Sequence, residues 1–121
     1  MEIKLAKIKN ASLNINDHDI LTFWIDVEYE DWGSQCIGGI TLDTYIKEKG
    51  ERIGTAFGCE VIRRLLKGLN VNDFSEMKGK MIWVYGIESG CMFDVKGIQP
   101  LKVDNNIKPI FWNEIMKEMG L

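Results

Sequence analysis

Hydrophobic and polar positions change period several times along the chain, and each change marks an element. Between Ile20 and Glu30, the residues Leu21, Phe23, Ile25, Val27 and Tyr29 alternate with Thr22, Trp24, Asp26, Glu28 and Glu30. That two-residue period predicts a strand with one face on a core and the other toward water. The stretch Gly54–Asn70, GTAFGCEVIRRLLKGLN, switches to a helical period. Phe57, Val61, Leu65, Leu69, Ile62, Leu66 and Cys59 share one arc of roughly 200°, wider than a surface helix needs. The spacing predicts the main helix over residues 54–69, pressed deeply onto a sheet. Thr55 is its expected N-cap, Gly68 and Asn70 form its exit, and Glu60 and Arg64 stand four apart as a pair on its solvent side.

Weaker patterns complete the order. Residues 2–9 carry Ile3, Leu5 and Ile8 among lysines, an edge strand with a bulge or slip. Residues 14–19 are turn formers, and Asp31-Trp32-Gly33-Ser34 reverses the chain into a partner strand over residues 35–42. Inside that strand, Gly38 and Gly39 mark either a bulge or a surface that a backbone, ring or ligand approaches closely. Residues 43–53 read as a solvated loop or a short extension of the hairpin. Asn72-Asp73 caps a single helical turn through Phe74 and Met77. Residues 81–86 and 91–98 alternate as a second hairpin closed by Glu88-Ser89-Gly90. An Asp104-Asn105-Asn106 turn then precedes a short C-terminal helix over residues 109–119. The order predicts a single α+β domain, residues 1–121, with a twisted antiparallel sheet of about five strands packed on the main helix.

With 45% hydrophobic and 27% charged residues over 121 positions, the chain has the composition of a soluble globular protein with one core. A net charge of -3 argues against a general affinity for nucleic acid. The lysine-punctuated start is unlike a secretory signal and no stretch approaches a membrane span, so residence in the cytosol is expected, with no membrane partner. Three cysteines, widely spaced and without a Cys-x-x-Cys pair, predict reduced, mostly buried thiols and no zinc site. His18 is the lone histidine and sits in a turn, which makes a His-based metal site or a Cys/His catalytic pair hard to assemble. No cofactor, metal or enzymatic activity is expected.

Three places carry candidate recognition chemistry. Gly54 and Thr55 expose amides at the positive end of the helix dipole with Arg52 just upstream, a way to hold a phosphate or carboxylate. Any Gly-Thr helix start looks similar, and simple capping is the plainer reading. On the same helix, Arg63, Arg64 and Lys67 offer a basic side that is either solvated or clamps an anion. Among the tryptophans, Trp83 and Trp112 are expected in the core, whereas Trp24 and Trp32 are candidate interface or stacking residues. The row Asp26, Glu28, Glu30 and Asp31 is a solvated acidic face or, less simply, a metal site.

Four segments resemble one family in order and spacing: D-H-D-I-L-T-F-W from Asp17, G-G-I-T-L-D over residues 38–43, G-T-A-F-G-C-E-V-I-R-R-L-L over 54–66, and K-G-K over 78–80. The family consists of small, mostly uncharacterised accessory proteins carried by bacteriophages and prophages. The match spans roughly residues 10–85; Cys36-Ile37 and the extended residues 44–52 depart from it. The resemblance implies a phage accessory protein in the host bacterial cytoplasm and supplies no catalytic residues. The combined expectation is a non-catalytic counter-defence binding protein, suited to a homo-oligomer. It would sequester a small anionic, nucleotide-type ligand or attach to a host defence protein through an acidic surface. The alternative is a single-stranded nucleic-acid-binding accessory of phage DNA metabolism, stacking bases on Trp24 and Trp32.

Overall fold

In a computed structural model that describes residues 1–101 and 108–120, the alternating segment forms β2 (Ile20–Tyr29), flanked by β1 (Glu2–Asp17) and β3 (Ser34–Gly38). The chain continues through β4 (Asp43–Ile46), β5 (Glu51–Gly54), the main helix α1 (Ala56–Gly68) and a 3-10 turn at Phe74–Met77. It closes with β6 (Met81–Ser89), β7 (Met92–Pro100), β8 (Ile110–Phe111) and α2 (Trp112–Glu118). The fold is α+β. Among the described residues an antiparallel six-stranded sheet runs in the order β3-β2-β1-β6-β7-β8, and β4-β5 form a separate two-stranded sheet. Residues 43–53 are therefore mostly a small hairpin of their own. The expected Asp104-Asn105-Asn106 turn lies outside the described residues. No helix of the described residues is long and apolar enough to cross a membrane.

One expectation about position is corrected. β1 is central, paired with β2 from Ala6 to Asp17 and with β6 from Glu2 to Lys7. Its lysines suggest an edge, but its 16 residues give it the length to serve two neighbours, one along each part. A register shift does fall between Ile8 and Asn10, and it turns the second half of the strand. His18 and Asp19 both have positive φ, 53° and 64°, and close the β1–β2 hairpin in the conformation that suits the strand twist.

The inner face of the sheet carries Ala6, Ile8, Phe23, Ile25, Val27, Ile82, Val84 and Ile98, all essentially shielded from water. α1 lays Phe57, Val61, Leu65 and Leu69 against it, and α2 adds Trp112 and Ile115. The Trp112 ring meets Phe23 edge-on at 5.5 Å between centroids. Each large side chain buried this way contributes about 1.5–3 kcal/mol of hydrophobic transfer.

Both ends of α1 are fixed by local chemistry. At the start, Thr55 Oγ1 accepts the Gly58 amide at 3.0 Å and donates to the Leu42 carbonyl at 2.8 Å. Gly58 permits that docking, because a Cβ there would stand 1.8 Å from the same Leu42 oxygen. At the exit, Asn70 takes φ 55° while its amide and that of Val71 return to the carbonyls of Lys67 and Leu66. This is the paired 5→2 and 6→1 closure, with Asn in the left-handed position usually held by glycine.

The sheet is strongly bent. Gln35 on β3 donates through Nε2 to the Phe93 carbonyl on β7 at 2.7 Å, although β2, β1 and β6 lie between those strands in the ladder. Tyr29 donates its hydroxyl to Gln35 Oε1 and meets the Phe93 ring edge-on at 6.1 Å. Lys4 lies 4.7 Å from the centre of the Phe93 ring. Burial, with Asp31 adding to it, pushes the Tyr29 phenol up to about 12.

Candidate functional site

The helix-terminal residues and the arginines singled out from the sequence fall into separate places. Arg52 on β5 turns inward: its Nη2 donates to Asp43 Oδ1 at 2.8 Å, and its Nε is buried without a hydrogen-bond partner. Asp43 Oδ2 also accepts the Leu21 amide at 3.1 Å. The Arg52 guanidinium, helped by that amide, holds the Asp43 carboxyl below the usual range against the opposing effect of burial. This pair ties the β4–β5 hairpin to the start of β2. Gly54 ends β5 beside it, and the Thr55 hydroxyl is already occupied at Gly58 and Leu42.

Arg63 and Arg64 lie about 12 Å along the helix from Thr55, at 1.5 Å per residue. Arg64 is engaged by Glu60 at 2.8 Å and by Glu118 of α2. Arg63, Lys67 and Lys108 have no acidic partner among the described residues, and they line an open groove of about 410 Å³ between α1 and the segment leading into β8. The structure thus separates the helix start from the basic side.

The tryptophans divide differently from expectation. Trp112 is buried, as its helical spacing suggests, but Trp83 is half-buried on the outer face of β6. The physical reason is register: Ile82 and Val84 take the inner positions, and strict alternation sends Met81, Trp83 and Tyr85 outward. Trp24 lies over Gly39, where a Cβ would stand 2.6 Å from its ring. Gly38, with φ 121°, similarly admits the Phe23 carbonyl, 2.3 Å from where a Cβ would be. The glycine pair is a close-approach surface occupied by the chain's own Phe23 and Trp24, and it ends β3 at Gly38.

Trp32, in contrast, is 89% exposed at the β2–β3 turn. Around it opens a groove of about 930 Å³ lined by Asp26, Glu28, Glu30 and Asp31, with Lys9 on one wall bonded to Glu28 at 3.1 Å. Antiparallel pairing of β2 with β3 puts Asp26 and Glu28 on the same outer face as Cys36 and Ser34. The Cys36 thiol donates to Asp26 Oδ1 at 2.9 Å, and that bond, with burial and the carboxylate charge, pushes the thiol up, away from the reactive thiolate. Cys36, Cys59 and Cys91 are all exposed rather than buried. Cys59 sits at the solvent margin of the α1 arc, and Cys91 in the β6–β7 turn. Among the described residues no group of three His, Cys, Asp or Glu side chains converges to hold a metal ion.

Of the outer apolar side chains beside this groove, Trp83 is expected in the core from the sequence, whereas the alternation leaves the faces of Leu5 and Tyr85 open. Alternation separates the two faces of a strand but does not say which apolar set is covered. Comparison with protein-family models, with curated proteins and with solved structures finds no match to this chain.

Proposed function

We propose that the chain is a non-catalytic binding protein that docks a basic protein surface in the acidic groove of the β2–β3 hairpin. The observation that carries this reading is Trp32, held out to solvent among four carboxylates in an open groove of about 930 Å³. An indole left in water contributes nothing to the fold and is a common anchor at interfaces. The surrounding carboxylates steer a cationic partner and set its orientation. The counter-defence setting, blocking a host defence protein in an infected bacterium, is proposed with it and rests on the resemblance in residues alone.

Titration with an arginine-rich peptide, read by tryptophan fluorescence at low and high salt, tests the docking. Binding that weakens with salt and falls at least tenfold in a Glu30→Lys, Asp31→Lys variant is the expected result. Indifference to those substitutions overturns the reading.

The cationic groove favours a second reading, capture of a small phosphate-bearing ligand by Arg63, Lys67 and Lys108. Titration with inorganic pyrophosphate, repeated on Arg63→Glu, decides it. Absence of any saturable, Arg63-dependent response excludes that reading. A single-stranded oligonucleotide in the same assay tests the nucleic-acid alternative.

A further inference from the structure

The acidic surface continues into an apolar one without a break in the sheet. Across the outer face, Glu28 stands beside Lys7 and Lys7 beside Met81. One row along, the Glu30 amide bonds the Leu5 carbonyl at 3.0 Å, and Leu5 stands beside Trp83. In the next row Ile3 pairs with Tyr85, whose ring meets Phe111 edge-on at 5.2 Å. Gly97 leaves room for that contact, since a Cβ there would lie 2.6 Å from Phe111 Cδ1. Leu5, Met81, Trp83, Tyr85 and Phe111 are half-buried, and Ile3 is 54% exposed. Among the described residues neither α-helix covers this side, because both turn their buried residues into the inner core.

Resting on the reading of the acidic groove as a docking site, we infer that its occupant is an amphipathic α-helix of the basic partner. The helix lays its apolar stripe over Ile3, Leu5 and Trp83 and its Lys/Arg flank toward Glu28, Glu30 and Asp31. Dimensions favour a helix. Its diameter of about 10–12 Å spans two strand spacings of about 4.8 Å, so a helix seated over β1 and β6 brings its flank above β2. Charge favours a basic one. Asp26, Glu28, Glu30 and Asp31 together outnumber Lys7 and Lys9, and Lys9 is already bonded to Glu28. A second copy of this chain would add another acidic border of the same kind. Anchors at i, i+3, i+4 and i+7 with a charged flank are the features this two-toned surface reads.

Three helix-forming peptides of equal positive charge provide the test. One has leucines at i, i+3, i+4 and i+7, the second is its scrambled isomer, and the third replaces leucine by glutamine. Binding to the full chain is followed by calorimetry and by the Trp83 indole resonance. The expected result is at least tenfold tighter binding of the amphipathic peptide, with the Trp83 resonance moved only by that peptide. Ile3→Glu should remove the advantage, bringing the amphipathic peptide to the affinity of its scrambled isomer for the same variant. Should Ile3→Glu disturb folding, the Trp83 resonance in the unsubstituted chain distinguishes the outcomes independently. Equal binding of all three peptides overturns the helix inference and leaves the acidic docking reading standing. Binding of none overturns both. Concentration-dependent dimerisation abolished by Ile3→Glu overturns the inference by assigning the strip to a second copy.

Discussion

On the inner side of β2, Phe23, Ile25 and Val27 are closed off by α1 and α2, while on the outer side of the same strand Asp26 and Glu28 border an open groove. Both sides are built from one alternating segment and share one backbone ladder. They differ in what lies above them. The inner residues are held in place by elements distant in sequence, so their loss is felt throughout the fold. The outer residues are held by the ladder and by single contacts at the surface, Asp26 to Cys36 and Glu28 to Lys9, so they are freer to vary in chemistry. A sheet organised in this way can change its recognition surface without disturbing its core.

Substitutions sharpen the contrast. Phe23→Ala, beneath both Phe74 and Trp112, should cost about 3–5 kcal/mol by chemical denaturation, the range for an aromatic removed from a packed core. Gly58→Ala should cost about 3 kcal/mol, the upper part of the overpacking range, because the Leu42 backbone must retreat before the helix can dock. A loss under about 0.5 kcal/mol at either position, the size expected of a surface change, would break the claim that the inner face depends on α1 and its partners. For Asp43→Asn, the charged bond to Arg52 goes while an acceptor for Leu21 remains, with a loss of about 1.5–3 kcal/mol at neutral pH.

The sign with pH follows from the lowered carboxyl. Asp43 contributes in full above its unfolded value near 3.8, and its contribution disappears as pH falls through the lower folded value. Acid denaturation of Asp43→Asn should therefore be shallower than that of the unsubstituted chain below about pH 4; parallel curves would deny the pair its role. Smallest of all, Trp32→Ala and Ile3→Ser should each change stability by less than about 0.5 kcal/mol in urea unfolding, as exposed positions do. A larger loss would show that the outer face also supports the fold.

Much of the inner face was legible in advance, since alternation in β2 and the wide arc of α1 both state a burial direction. Thr55 as cap and Asn70 as exit were legible too, because their chemistry is local. The place of β1 was not. Lysines mark edges on average, but here strand length decided the matter, and pairing with residues 81–86 is invisible to any short window. The candidate site was legible in its parts: Trp32 and the acidic row stood out as residues, and the basic side of α1 as a face. What could not be read was combination. Arg52 looks available in sequence and Arg64 pairs there with Glu60 alone, yet Asp43 takes the first and Glu118 joins Glu60 on the second, and both of those unforeseen acids come from outside α1. Trp83 was misplaced because its alternation fits either face until the register with β1 is known.

The central position of β1 also sets an order of events during folding. Its pairing with β2 closes through a tight turn, whereas its other margin waits for Gly86 to find Glu2. Until that distant encounter, a row of backbone amides and carbonyls on the first strand stays without partners, and those groups are a template for pairing with other chains. Assembly should therefore be limited by a long-range search rather than by α1, and aggregation during refolding should begin at the N-terminal hairpin.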